Sequence, residues 1–247
     1  MAHKRDIRPD MFVAGDELTA AMVNVGFNFA VNARPAPTVN IEDTLWAASI
    51  EGVERQDYRV LSVLTTWMGI HHARLNADRL VRLAASEPSA SVTAYWVAIA
   101  QWLGDPRLLR LAGTESERMN LLGKWTEFQI SRRGEDERFA GTAMRVPAGS
   151  LRDRAADVVR SEFLIRKHRG YYWRTVIGPT YRADAWAELE RDPNLSAAAL
   201  ARKIYSSFSV AWNAKRDFAL AAHARPSRAT ARTMPAGKKR RSAKGTS

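Results

Sequence analysis

Between Thr180 and Phe218 the chain reads TYRADAWAELERDPNLSAAALARKIYSSFSVAWNAKRDF, three short helical patterns with two breaks between them. In the first, Tyr181, Ala185 and Leu189 share a face and Trp186 lies beside them. Asp192-Pro193-Asn194 ends it, because proline disfavours helical geometry in the residue before it. The second pattern starts at Ser196, a good N-cap, and buries Leu200, Ala201 and Ile204 while Arg202 and Lys203 point elsewhere. The third opens at Ser206-Ser207, again cap residues, and runs through Phe208, Ala211, Trp212 and Phe218.

The segment LSAAALARKIYSSFSVAWNAKRDF resembles the general helix-turn-helix pattern, with Leu200-Ala201 in the middle of the second helix and Ala211 and Ala214 at later packing positions. Tyr205 stands where such motifs usually carry glycine for the turn. The resemblance covers only this C-terminal part of the chain and implies a tri-helical DNA-binding unit. On a helical wheel Ser209, Asn213 and Arg216 form one polar stripe, with Ser207 just ahead of it and Phe208, Ala211, Trp212 and Ala219 on the other side. Asparagine and arginine are the side chains that read adenine and guanine bidentately in the major groove. Lys215 falls within the apolar arc and is expected to snorkel out to a phosphate. The competing reading makes these residues the solvated face of a three-helix cap.

The charge supports the first reading. The chain of 247 residues has a formal net charge of +12. From Phe218 onward there are eight Lys or Arg and no acid, among them Lys238, Lys239, Arg240 and Arg241. The preceding residues hold 30 basic against 26 acidic side chains, so the basicity belongs chiefly to the tail. Residues 224–247, rich in Arg, Lys, Ala, Ser and Thr, cannot bury enough apolar surface to offset their ordering entropy. They are expected to be disordered and to act as a nonspecific phosphate clamp.

Upstream, residues 1–39 read as a poorly ordered arm, with a short helix over Glu17–Met22, an alternating stretch over Val25–Val31 and a proline-broken linker over 34–38. Residues 40–112 are strongly helical. Asn40, Asn76 and Ser89 or Ser91 are capping residues, and Val60, Val63, Leu64 and Trp67 repeat at the spacing of a buried stripe. Tyr95, Trp96, Ile99, Trp102 and Leu103 form another, which suggests an antiparallel bundle. TEFQIS at 126–131, a polar turn at Arg132–Glu137 and RFAGTAMRVP read as a β-hairpin. Pro147–Ser150 reads as a linker, and Leu151–His168 as a further helix. The expected fold is mainly α, divided into the arm at 1–39, a helical domain with a hairpin at 40–147, a helix-turn-helix-like domain at 151–223 and the tail at 224–247.

Catalytic chemistry finds no support in the sequence. There is no cysteine, hence no disulfide, thiolate metal site or cysteine nucleophile. HExxH, P-loop, GxSxG and GxGxxG spacings are absent. His71 and His72 are adjacent, so their side chains diverge by about 100° on a helix and cannot share a ligand. His71 continues the Trp67 stripe and reads as a core or capping residue. Tyr171-Tyr172-Trp173, beside Arg169 and Arg174, reads as a hydrophobic hinge rather than a base-stacking surface. No apolar run is long enough for a bilayer or a secretory leader, so a cytoplasmic location is expected. The expectation is a non-enzymatic DNA-binding regulator, either a transcriptional regulator or an antitoxin-like autorepressor, without metal or cofactor. RNA is the alternative nucleic acid, and 40–112 is expected to self-associate or dock a protein partner. The alternative is a helical interaction or scaffold protein whose tail binds nucleic acid weakly.

Overall fold

A computed structural model describes residues 13–29, 40–113 and 118–224, and it is mainly helical. The N-terminal unit contains α1 (Gly15–Asn24), α2 (Ile41–Val53), α3 (Tyr58–His71), α4 (Ala77–Ser86) and α5 (Ala90–Leu103). Side-chain caps start four of these helices. Asn40 accepts from Asp43 N, Asp57 from Arg59 N and Val60 N, Asn76 from Arg79 N and Ser89 from Val92 N. Gly104, at φ 62°, stops α5 in the left-handed conformation that suits a C-cap glycine.

Tryptophans fill the core between these helices. Trp46 and Trp96 stack with centroids 5.0 Å apart and planes 2° from parallel. Their N–H groups are satisfied, Trp96 donating to Ser49 Oγ at 2.8 Å and Trp46 to Glu87 Oε2 at 2.7 Å. Trp67 donates to Val25 O at 2.8 Å. A Cβ at Gly52 would lie 2.8 Å from Leu61 Cβ, so glycine sets how closely α2 approaches α3.

Three expectations need correction. The arm is not poorly ordered where it is described. Leu18 and Met22 of α1, with Val25 and Phe27, are buried in the main core. Phe27 bridges Val158, and Asn28 N donates to Asp157 O at 2.8 Å, so the short apolar run after α1 finds a distant partner. Residues 1–12 and 30–39 lie outside the described residues.

Second, 126–133 is not a hairpin strand but a helix, α6 (Thr126–Arg133), ended by Gly134 at φ 80°. Six alternating residues also satisfy two helical turns, and a strand needs a neighbour to bond its backbone. Thr126 Oγ1 instead accepts from Leu122 N at 3.0 Å, and Ile130 O accepts from Gly134 N at 2.8 Å. The two short strands, β1 (Met119–Asn120) and β2 (Met144–Arg145), pair in parallel, Met119 opposite Met144. The loop after α6 is tied by Asp136 N to Val146 O at 2.8 Å and by Arg138, which forks onto Asp136 and reaches Leu151 O.

Third, the boundary does not fall at 147–150, and 151–168 is not one helix. Its helical part is a short 3-10 turn at Ala155–Asp157 and α7 (Ser161–Lys167). Leu151, Val158, Leu164 and Tyr171 pack in the main core. The change of core occurs inside α8 (Arg169–Ile177), where Tyr171 belongs to the first core and Trp173 to the second. The second core is formed by α9 (Tyr181–Arg191), α10 (Ala197–Lys203) and α11 (Phe208–Ala224), around Trp186, Leu189, Leu200, Ile204, Ala211 and Ala214. Because adjacent side chains on a helix point about 100° apart, α8 can serve both cores at once.

Candidate nucleic-acid interface

The three expected C-terminal helices form with their expected signals. Ser196 caps α10 by accepting from Ala199 N, and Asp192 Oδ1 accepts from Asn194 N at 3.0 Å in the break before it. Between α10 and α11, Ile204 N bonds Leu200 O and Ser206 N bonds Ala201 O, both at 3.0 Å. Tyr205 adopts φ 55°, the left-handed conformation that glycine supplies elsewhere. A side chain there costs roughly 1–2 kcal/mol. Two arginines of α4 hold it: the Arg79 guanidinium lies 4.0 Å from the ring centroid, and Arg82 Nη1 donates to Tyr205 O at 3.0 Å.

Ser207 begins α11, with Val210 N donating to its Oγ at 3.3 Å and Ser209 Oγ 3.0 Å away. Ser209, Asn213 and Arg216 are exposed, and Arg216 lies over the Trp212 ring at 5.3 Å. Arg202 is exposed on α10. Lys203 is also exposed, but its charge is paired, with Nζ 2.9 Å from Glu188. Lys215 does not snorkel out: it is half-buried and donates to Leu195 O at 2.5 Å. Lys238, Lys239, Arg240 and Arg241 lie outside the described residues.

The apolar arc of α11 is rotated from the expected one. Ala211 and Ala214 are buried, while Phe208 and Trp212 are 59% and 49% exposed. Trp186 sets this rotation, donating to Ala214 O at 3.2 Å and meeting the Phe218 ring edge-on at 5.6 Å. Short side chains at 211 and 214 let α11 lie close to α9 and α10, where a phenyl or indole ring would not fit. The outer face of α11 therefore mixes Ser209, Asn213 and Arg216 with Phe208 and Trp212.

A buried ionic joint fixes this unit to the bundle. Arg174, 1% exposed, donates to Glu42 through Nη1 at 2.6 Å and Nη2 at 2.8 Å, and to Asp184 through Nε at 2.8 Å. Glu42 Oε1 also accepts from Asn76 N at 2.7 Å. Burial pushes the Asp184 carboxyl above the ordinary carboxylate range, against the pull of Arg174. Beside the joint lies a cavity of about 540 Å³ lined in part by Asp43, Asp184, Glu188 and Glu190. Each of these acids is already engaged, by Arg79, Arg174, Arg191 and Arg169 respectively. Its walls thus neutralise themselves.

His71 is fully buried, with Nε2 at 3.0 Å from Val159 O and Nδ1 at 2.9 Å from the Tyr171 hydroxyl. A ring nitrogen facing a carbonyl must carry the proton, so Nε2 donates and Nδ1 accepts. Burial lowers its pKa to about 4, and the Val159 carbonyl opposes this only weakly. The histidine is a neutral strut between α3 and α8. Among the described residues no three His, Asp or Glu side chains are grouped to hold a metal, and no helix is long and apolar enough to cross a membrane.

The contacts of Arg79 and Arg82 with Tyr205, and of Arg174 with Glu42, escaped sequence reading because these partners lie more than 100 residues away. Comparison with family models, with curated proteins and with solved structures finds no match to this chain.

Proposed function

We propose that the chain is a DNA-binding regulatory protein that presents α11 to the major groove and uses its basic C-terminal residues on phosphates. The observation that carries this reading is the outward face of α11, where Ser209, Asn213 and Arg216 are exposed just after a turn held by Tyr205. The N-terminal half of such a helix is where base edges are contacted. Phe208 and Trp212 fit the same face, since rings make apolar contact with thymine methyl groups. Selection of bound duplexes from a random pool tests it. The parent is expected to enrich one sequence that Asn213→Ala and Arg216→Ala variants no longer distinguish. Enrichment of no sequence by the parent protein overturns the reading.

A second reading, a helical protein-interaction module, draws support from the apolar character of the same helix. Phe208, Trp212 and Leu220 succeed one another on one side and are 59%, 49% and 64% exposed. The stripes of residues 40–112, by contrast, are used within the chain: Trp46, Trp67 and Trp96 are all buried. Any self-association or partner docking then falls to α11 rather than to the bundle. Sedimentation of a Trp212→Ala variant tests this. A parent that sediments as an oligomer and a variant that sediments as a monomer, without loss of duplex selectivity, favour the second reading.

A further inference from the structure

The turn into α6 carries two exposed rings in a basic setting. Trp125 and Phe128 are 60% and 49% exposed and meet edge to face, with centroids 6.5 Å apart. Lys124 Nζ lies 5.7 Å from the Trp125 centroid, and the Arg132 guanidinium 5.5 Å from that of Phe128. Phe128 and Arg132 are four apart on α6, so ring and cation lie along one line of the helix, and Lys124 joins them from the 3-10 turn just before it. The opposite side attaches the helix, with Thr126 buried and Ile130 half-buried.

Among the described residues two acids beside these cations are occupied, and Glu137, exposed on the cavity that Arg133 also lines, makes no ion pair. Glu127 pairs with Arg145, and Glu135 with Arg118. Among the described residues Lys124, Arg132 and Arg133 have no carboxylate at ion-pair distance, which leaves two free positive charges on the rings and a third, Arg133, next to Arg132 in the chain. Protein interfaces also collect Trp, Phe and Arg and are depleted only of the lysine, so the rings do not choose the partner and the unpaired positive charge does. Single-stranded nucleic acid supplies what this surface lacks, because its bases expose π-faces and its backbone supplies the negative charge. A duplex does not, because stacking hides the faces of its bases.

We propose that this face of α6 binds single-stranded nucleic acid, with bases stacked on Trp125 and Phe128 and phosphates on Lys124, Arg132 and Arg133. The site is separate from α11 and does not depend on duplex reading there.

The experiment is fluorescence anisotropy of the full-length protein with an end-labelled strand of about 15 thymidines, within the span such surfaces cover. An abasic strand of equal length and a duplex serve as controls. The thymidine strand is expected to bind at least about fivefold tighter than the abasic strand. Trp125→Ala and Phe128→Ala should each weaken thymidine binding by about fivefold or more and leave the abasic and duplex affinities unchanged. Trp125→Phe should restore most of the loss. Lys124→Gln with Arg132→Gln keeps both rings and should weaken thymidine and abasic strands alike. Equal affinity of the parent for thymidine and abasic strands would show that charge alone binds, through the basic C-terminal residues included, and would overturn the proposal. So would alanine variants that melt like the parent and bind thymidine unchanged. Asn213→Ala should leave thymidine binding intact, which separates failure here from failure of the duplex reading.

Discussion

The Arg79 guanidinium lies 4.0 Å from the centre of the Tyr205 ring, linking a helix of the N-terminal bundle to the turn that aims α11. Arg79 is itself 1% exposed and bonded to Asp43 and Asn40, so the cation is held in place before it meets the ring. The turn that leads into the candidate reading helix is thereby braced from outside its own three-helix unit, while Trp186 within the unit sets the rotation of the helix.

Replacing Tyr205 separates the backbone cost from the side-chain gain. Tyr205→Ala keeps the left-handed strain and loses the ring, and should cost about 1–3 kcal/mol in urea unfolding. Tyr205→Gly loses the same ring but relieves the strain, so it should be more stable than the alanine variant by about 0.5–1 kcal/mol. Alanine equal to or better than glycine would show that position 205 is not strained.

On the outer face of α11, Asn213→Ala and Arg216→Ala should each cost about 1–3 kcal/mol against the selected duplex and flatten preference at the contacted bases. Neither side chain is buried, so melting temperatures should hold. Undiminished affinity for the selected site in both variants rules out base reading by this helix.

Residues 224–247 contain eight basic side chains and no acid. Their deletion should weaken all duplexes similarly and reduce the slope of log affinity against log salt by up to about 0.9 per phosphate contact removed. The measurement is a salt titration of both proteins on one duplex. An unchanged slope means that these residues do not touch DNA.

His71 should make stability fall on acidification. Its folded pKa is lowered to about 4 from an ordinary 6.5, so below pH 6.5 the unfolded chain binds the proton first. Stability conferred by the neutral imidazole is complete above pH 6.5, declines between 6.5 and 4, and levels off below. The full difference is on the order of 3 kcal/mol. Denaturation of the parent and of His71→Gln at pH 7.5 and 5 checks this, with the variant expected to lose this component of the slope. Parallel losses in both proteins would assign the acid sensitivity elsewhere.

Much of the helical framework was legible because its signals are local. Asn40, Asn76, Ser89 and Ser196 each bond an amide three residues on, so residue type and spacing reveal the cap. The apolar intervals around Val60, Leu64 and Trp67 likewise follow from the pitch of one helix, as does the break at Asp192-Pro193. The solvent side of α11, with Ser209, Asn213 and Arg216, was also readable in this way.

The tertiary structure decided what local periodicity leaves open. TEFQIS fits two helical turns as well as a strand, and it became helix where Leu122 and Gly134 offered partners for its ends. Phe208 and Trp212 were apolar enough to be core, but Trp186 needed the short side chains of Ala211 and Ala214 against it and turned the rings outward. The boundary moved into α8 because Tyr171 could meet His71, and Arg174 could meet Glu42, each about 100 or more residues away. Burial, ion pairing and ring packing depend on which surfaces meet, and the energy of such contacts resides in pairs of side chains that no spacing along the chain brings together.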